Sequence, residues 1–139
     1  ERVLCVPGDC PALDPLELEA LLASGSPGPG REREVVIVPD RHGTGTNGLM
    51  LSPPDAIAPS FGPRSFERHR DLALAAGLPC RVEQPSSLLL DIDTGADLAT
   101  LRDRPVNDRP DRARALAPHT RAVLTAVEQG TLVPLTTSA

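Results

Sequence analysis

The sequence predicts an α/β domain, and three observations carry that reading. Short, unalternating apolar runs at residues 3–6 (VLCV), 35–38 (VVIV) and 88–90 (LLL, continuing through Ile92) each lead into turn chemistry, as strands buried on both faces do. The stretches between them carry helical spacing with start and stop signals. Strands alternating with helices are the pattern of an α/β layer architecture.

The elements follow in order. After the first apolar run, Asp14 precedes Pro15, which suits the first helical position, and Glu17 completes a capping-box arrangement, so a helix is expected to about Leu22 or Ala23. The segment SGSPGPG at 24–30 reads as a loop. A second helix is expected from Ser65, with Phe66, His69, Leu72, Ala73 and Ala76 on one stripe and Gly77 ending it. A third starts at Thr94, with Asp97 three residues on. Residues 104–111 are polar and contain proline, the composition of a linker. A last helix should open at Pro118 and close at Gly130, with Ala122, Val123, Ala126 and Val127 available for docking. The chain thus divides into an α/β domain over 1–103 and a linker with a carboxy-terminal helix over 104–139.

With 139 residues, a single domain buries roughly 70% of the surface its unfolded chain exposes. Apolar residues make up 40%, charged residues 24%, and the net charge of −5 argues against nucleic acid as a partner. The only aromatics are Phe61 and Phe66, too few for a base-stacking platform. All 14 basic residues are Arg, so no lysine can reach a phosphate. No apolar run approaches the ~20 residues that span a bilayer, and no signal-peptide pattern is visible, so a cytoplasmic location without membrane partners is expected. Cys5, Cys10 and Cys80 are an odd set best read as free thiols. A zinc site combining them with His42, His69 and His119 would lack recognised ligand spacing.

Each apolar run delivers a carboxylate at or just past its end: Asp9, Asp40, and the pair Asp91 and Asp93. Ligands of open α/β sheets gather at the carboxyl ends of the strands. Oxygen donors arriving there from distant parts of the chain suit a hard cation such as Mg²⁺. The plain alternative is that Asp9 and Asp40 shape turns while Asp91 or Asp93 caps a helix. Glycines in PDRHGTGTNG (39–48) would let the backbone approach an anion, and Thr44, Thr46 and Asn47 add side-chain donors, although the segment also reads as an ordinary turn. FGPRS (61–65) leads directly into a helix whose amino end suits a phosphate or carboxylate, with Ser65 either bound to that anion or simply the N-cap. Arg64, Arg68 and His69 would then add charge nearby or form a solvated and packed face.

The order GDCPAL, VVIVPDRHGTGTNGL, FGPRSFERHR and LLLDIDTGADL resembles the 2-phospho-L-lactate and phosphoenolpyruvate guanylyltransferases of deazaflavin coenzyme F-420 biosynthesis, over residues 1–103. The resemblance implies a Rossmann-like nucleotidyltransferase fold. It implies Asp9 and Asp91 as catalytic, magnesium-binding carboxylates with Asp93 close by, and Thr46, Gly62 and Ser65 as groups holding the acceptor's phosphate and carboxylate. Magnesium is the implied cofactor, and GTP and a small phospho-acid (phosphoenolpyruvate or 2-phospho-L-lactate) the implied partners. It also implies a preceding α/β half that binds much of the nucleotide, so this chain is expected to be the carboxy-terminal part. A second copy or that half would complete the site. The competing readings are a sibling nucleotidyltransferase for a sugar phosphate or pterin, and a non-catalytic fragment that binds a phospho-acid or a partner subunit.

Overall fold

The computed structural model describes residues 1–24, 33–103 and 117–131. Four strands and four helices follow the order β1 (Val3–Cys5), α1 (Pro15–Ser24), β2 (Glu34–Pro39), β3 (Thr46–Ser52), α2 (Ser65–Ala75), β4 (Cys80–Val82), α3 (Gly95–Asp103) and α4 (Pro118–Glu128). The expected linker at 104–111 and all but Ser24 of the 24–30 loop lie outside the described residues. Among the described residues, no helix is long and apolar enough to cross a membrane.

The sheet has the spatial order β1-β3-β2-β4 and is mixed. β3 runs antiparallel to both β1 and β2, with Cys5 opposite Leu49 and Ile37 also opposite Leu49, while β2 and β4 are parallel. Three strands therefore point one way. Their carboxyl ends share an edge with the amino end of β3, where Pro39 pairs with Thr46 across a register shift.

Alternation along the two central strands builds a core on each face. Val35, Ile37, Leu49 and Leu51 pack with Ala73 of α2, and Val36, Val38 and Met50 pack with Leu21 of α1, Cys10 and Leu88. Both faces are covered, which is why VVIV reads as an unbroken apolar run. The first run departs from that expectation: β1 is an edge strand with Val3 exposed and Leu4 and Cys5 half-buried.

Two corrections to the strand reading have physical causes. Leu88 and Leu90 are buried and Leu89, Asp91 and Ile92 half-buried, but residues 88–92 are not a strand. A turn closes from Leu88 N–H to Pro85 O, and the Leu88 carbonyl accepts from the Asn47 side chain at 2.9 Å instead of from a ladder partner. Conversely, β3 begins inside the glycine-rich segment read as a loop. Its Gly48 sits where a Cβ would approach Val38 to 3.0 Å, so close pairing, and not a turn, explains that glycine. The short β4 was not expected either.

The helices match their signals more closely. Asp14 Oδ1 accepts from Leu16 N at 2.8 Å at the start of α1. Thr94 and Asp97 close a reciprocal capping box at α3. Gly77 and Gly130, both at positive φ, end α2 and α4. On α2, His69 and Ala73 are buried and Phe66 and Leu72 half-buried, whereas Ala76 has turned out to solvent. Helix α4 buries none of its residues, although Arg121 anchors it to the Leu101 carbonyl at 2.7 Å.

Leu88→Ala should cost roughly 2–5 kcal/mol in a urea melt, because the side chain is fully enclosed. Leu74→Ala, 78% exposed on α2, should stay within about 0.5 kcal/mol of the parent.

Candidate active site

The chain reversal between β2 and β3 is built on Asp40. Its carboxylate accepts hydrogen bonds from the backbone N–H of His42 (3.0 Å), Thr44 (2.9 Å) and Gly45 (2.9 Å), and from the Thr44 hydroxyl (3.1 Å). Burial works to raise the Asp40 pKa, but these donors together outweigh it and hold the carboxyl below its ordinary value. Asp40 is thus a turn residue, not a cation ligand, because its oxygens are already engaged. A Cβ on Gly45 would come within 2.9 Å of Asp40 Oδ2, so glycine is what lets the loop wrap the carboxylate.

The reversal in turn seats the FGPRS segment, since Phe66 N–H donates to Thr44 O at 3.2 Å. Gly62, at φ +100°, and Arg64, at φ +57°, turn the chain so that Ser65 N–H reaches Gly62 O at 3.0 Å. The N-cap position of α2 belongs to Arg64, with no side-chain cap. Ser65 is therefore not the cap, and its buried side chain lines the cleft instead. Arg68 donates to Ser60 Oγ, Ser60 O, Phe61 O and Pro63 O, which commits its guanidinium to holding this loop. Arg64 pairs with Glu67 at the surface. Neither arginine is a spare anion receptor.

On the opposite wall, Ile92 N–H donates to Asp9 O at 3.0 Å, which places Asp9 beside Asp91 although they are distant in sequence. Both charges register on the buried Cys10 thiol, which is pushed up to about 12 by burial and then by Asp9 and Asp91. Such a thiol is no nucleophile at neutral pH. Among the described residues, the Asp9, Asp91 and Asp93 carboxylates make no ion pair and accept no hydrogen bond.

These walls enclose one cleft of about 450 Å³. It is lined by all eight site candidates: Asp9, Asp91 and Asp93, with Thr44, Thr46, Asn47, Gly62 and Ser65. Their availability differs. The Thr44 hydroxyl is engaged by Asp40, and one amide proton of Asn47 by Leu88 O. Thr46 Oγ1 lies 3.0 Å from His69 Nδ1, and His69 Nε2 accepts from Ser60 N at 2.9 Å. His69 is fully buried, and burial followed by the nearby Arg68 charge lowers its pKa.

The donor set for a cation is all oxygen. No three His, Cys, Asp or Glu side chains among the described residues gather into a metal cage, the three cleft aspartates included. For magnesium that arrangement still fits, since the ion takes one or two carboxylates and completes its shell with water and phosphate oxygens. Of the two readings the sequence offers for Asp40, the turn-shaping one is what its carboxylate bonds show. Sequence reasoning passed over Asp97 as partner of Arg41.

Fold and cleft together define an α/β domain with an acidic, glycine-lined cleft at the carboxyl edge of its sheet. The chain belongs to the CofC-like guanylyltransferase family: the model described as "Guanylyl transferase CofC like" matches residues 1–102. It is 50% identical to a phosphoenolpyruvate guanylyltransferase of Conexibacter woesei over 123 residues, 88% of this chain and 52% of that one. It is 44% identical to the Sphaerobacter thermophilus protein of the same name over 101 residues, 73% of this chain and 46% of that one. A 3-phospho-D-glycerate guanylyltransferase of Colwellia psychrerythraea is 36% identical over 98 residues, 70% of this chain and 44% of that one. The chain spans about half the length of these curated relatives.

The Asp40 carboxylate contributes stability that is fully present above its unfolded value of 3.8 and lost as pH falls through its lower folded value. Asp40→Asn should therefore lower the urea midpoint at pH 7 and flatten its acid-side slope. An unchanged slope would show that the loop does not depend on the charge.

Proposed function

We propose that this chain forms the metal- and acceptor-binding part of a guanylyltransferase that moves GMP from GTP to a small phospho-acid. Phosphoenolpyruvate and 2-phospho-L-lactate are the acceptors in view, and the product would serve coenzyme F-420 biosynthesis. The observation that carries the reading is the meeting of Asp9, Asp91 and Asp93 with Thr46, Gly62 and Ser65 in one cleft. Family membership and the printed names of the relatives support the reaction class. The finer fold reading is a Rossmann-like nucleotidyltransferase, supported by three same-direction strands whose carboxyl ends meet the cleft.

In the proposed reaction, an oxygen of the acceptor's phosphate attacks the α-phosphorus of GTP. A P–O bond forms there as the bond to the β-phosphate oxygen breaks, and pyrophosphate leaves with that electron pair. The nucleophile is already anionic, so no side chain has to remove a proton. Asp9 and Asp91, with Asp93 close by, would hold a magnesium ion, which when bound supplies charge neutralisation to the phosphates. Thr46, Ser65 and the backbone at Gly62 hold the acceptor on the other wall. The task of the chain is then alignment, which converts a bimolecular encounter into a positioned one.

The test is pyrophosphate release from GTP and magnesium, with phosphoenolpyruvate, 2-phospho-L-lactate and 3-phosphoglycerate offered separately. It is run on this chain alone and on the chain joined to the remainder of the Conexibacter relative. Release with one acid is the expected outcome, and its absence with all three in both forms would overturn the reading. Asp9→Asn and Asp91→Asn should each lower turnover about a hundredfold or more while leaving the urea midpoint nearly unchanged. Ser65→Ala should raise the acceptor KM roughly tenfold with little loss of stability, because Ser65 caps nothing.

A further inference from the structure

His69 is a fully buried imidazole that joins the two segments of the acceptor wall, and both ring nitrogens are engaged. The partner of Nε2 is the Ser60 backbone N–H, 2.9 Å away, which can only donate. Nε2 must therefore present its lone pair. A neutral imidazole carries one ring proton, so that proton resides on Nδ1. Nδ1 lies 3.0 Å from Thr46 Oγ1, and the bond runs from the ring to the hydroxyl oxygen. A threonine hydroxyl is ordinarily free to donate or accept by rotating. Here its oxygen already receives the histidine proton, and its own proton has no acceptor among the described residues, while Thr46 lines the cleft.

We propose that His69 is a positioning residue that fixes the Thr46 hydroxyl as a hydrogen-bond donor directed into the cleft, matched to an anionic oxygen of the acceptor. This rests on the reading of Thr46 as an acceptor ligand. The chain of donors runs from Ser60 N–H through the ring to Thr46, and each link sets the polarity of the next. Packing keeps the ring from turning over: Phe61 meets it edge-on with centroids 5.2 Å apart. Burial and the adjacent Arg68 disfavour a second ring proton, which would set an N–H against the Ser60 N–H. The sequence could not reveal this role, because a histidine on an apolar helix stripe looks the same whether it packs or relays.

Two substitutions separate relay from packing. An Asn side chain places its amide near the position of Nδ1 and can still donate to Thr46. A Gln side chain reaches toward the position of Nε2 and can still accept from Ser60. We would titrate phosphoenolpyruvate into the magnesium-loaded full chain and into its variants. His69→Gln is expected to weaken binding roughly tenfold, and His69→Asn to stay within about threefold of the parent. The reverse order would overturn the proposal, because it would make loop pinning through Ser60 the role of the ring. Thr46→Val separates the two levels of the argument. If it leaves phosphoenolpyruvate binding unchanged, the acceptor reading of Thr46 fails. If it weakens binding while His69→Gln does not, only the relay fails. Long-range ¹⁵N–¹H spectra of the parent chain supply a readout that no folding defect can obscure. A proton on Nδ1 is expected, and a proton on Nε2 would overturn the assignment.

Discussion

The cleft depends on one carboxylate that takes no part in its chemistry. Asp40 gathers three backbone amides and a hydroxyl, and so turns β2 back into β3 within a few residues. That reversal sets Thr46 opposite Pro39 at the sheet edge, and it offers the Thr44 carbonyl to the first turn of α2. Thr46, Gly62 and Ser65 reach a common wall only because this turn is tight. An anion held by several N–H donors is a stable arrangement even near solvent. The arrangement also explains why a glycine must stand at 45, where any side chain would strike the carboxylate.

Across the cleft the logic is opposite. Asp9, Asp91 and Asp93 have no such donors, and nothing among the described residues neutralises them. Their backbones are nonetheless held together through the bond from Ile92 to Asp9 O, and the Leu88 segment behind them is pinned by Asn47 and by burial. The chain thus pairs one carboxylate locked into structure with three left open to a ligand.

The helices were legible because their signals are local: a cap, a stripe and a terminal glycine lie within a dozen residues of one another. Pro15, Ser65, Thr94 and Pro118 all mark starts or near-starts that the structure reproduces. The sheet was less legible. β3 hides in a glycine-rich segment whose pairing with Val38 is a long-range fact, and the LLL run is buried without being a strand because side chains from elsewhere take its carbonyl. The acidic candidates and the acceptor-wall candidates were nameable from the sequence, and they line one cleft. What the sequence could not convey was direction: that Thr44 turns to Asp40, that Arg68 turns to its own loop, and that His69 turns to Thr46. Those choices belong to hydrogen-bond geometry, which residue identity alone leaves open.

In the proposed function, the open carboxylates and the glycine-lined wall act as one site, joined by a cation and a phospho-acid. Titrating Mn²⁺, a paramagnetic stand-in for magnesium, into the ¹⁵N-labelled chain tests it directly. The amide signals of Asp9, Asp91 and Ile92 should broaden first. Phosphoenolpyruvate should then shift Gly45, Thr46 and Ser65 far more when the cation is present than when it is absent. Broadening centred on Asp40, or a response of the glycine-lined wall that ignores the cation, would contradict the account.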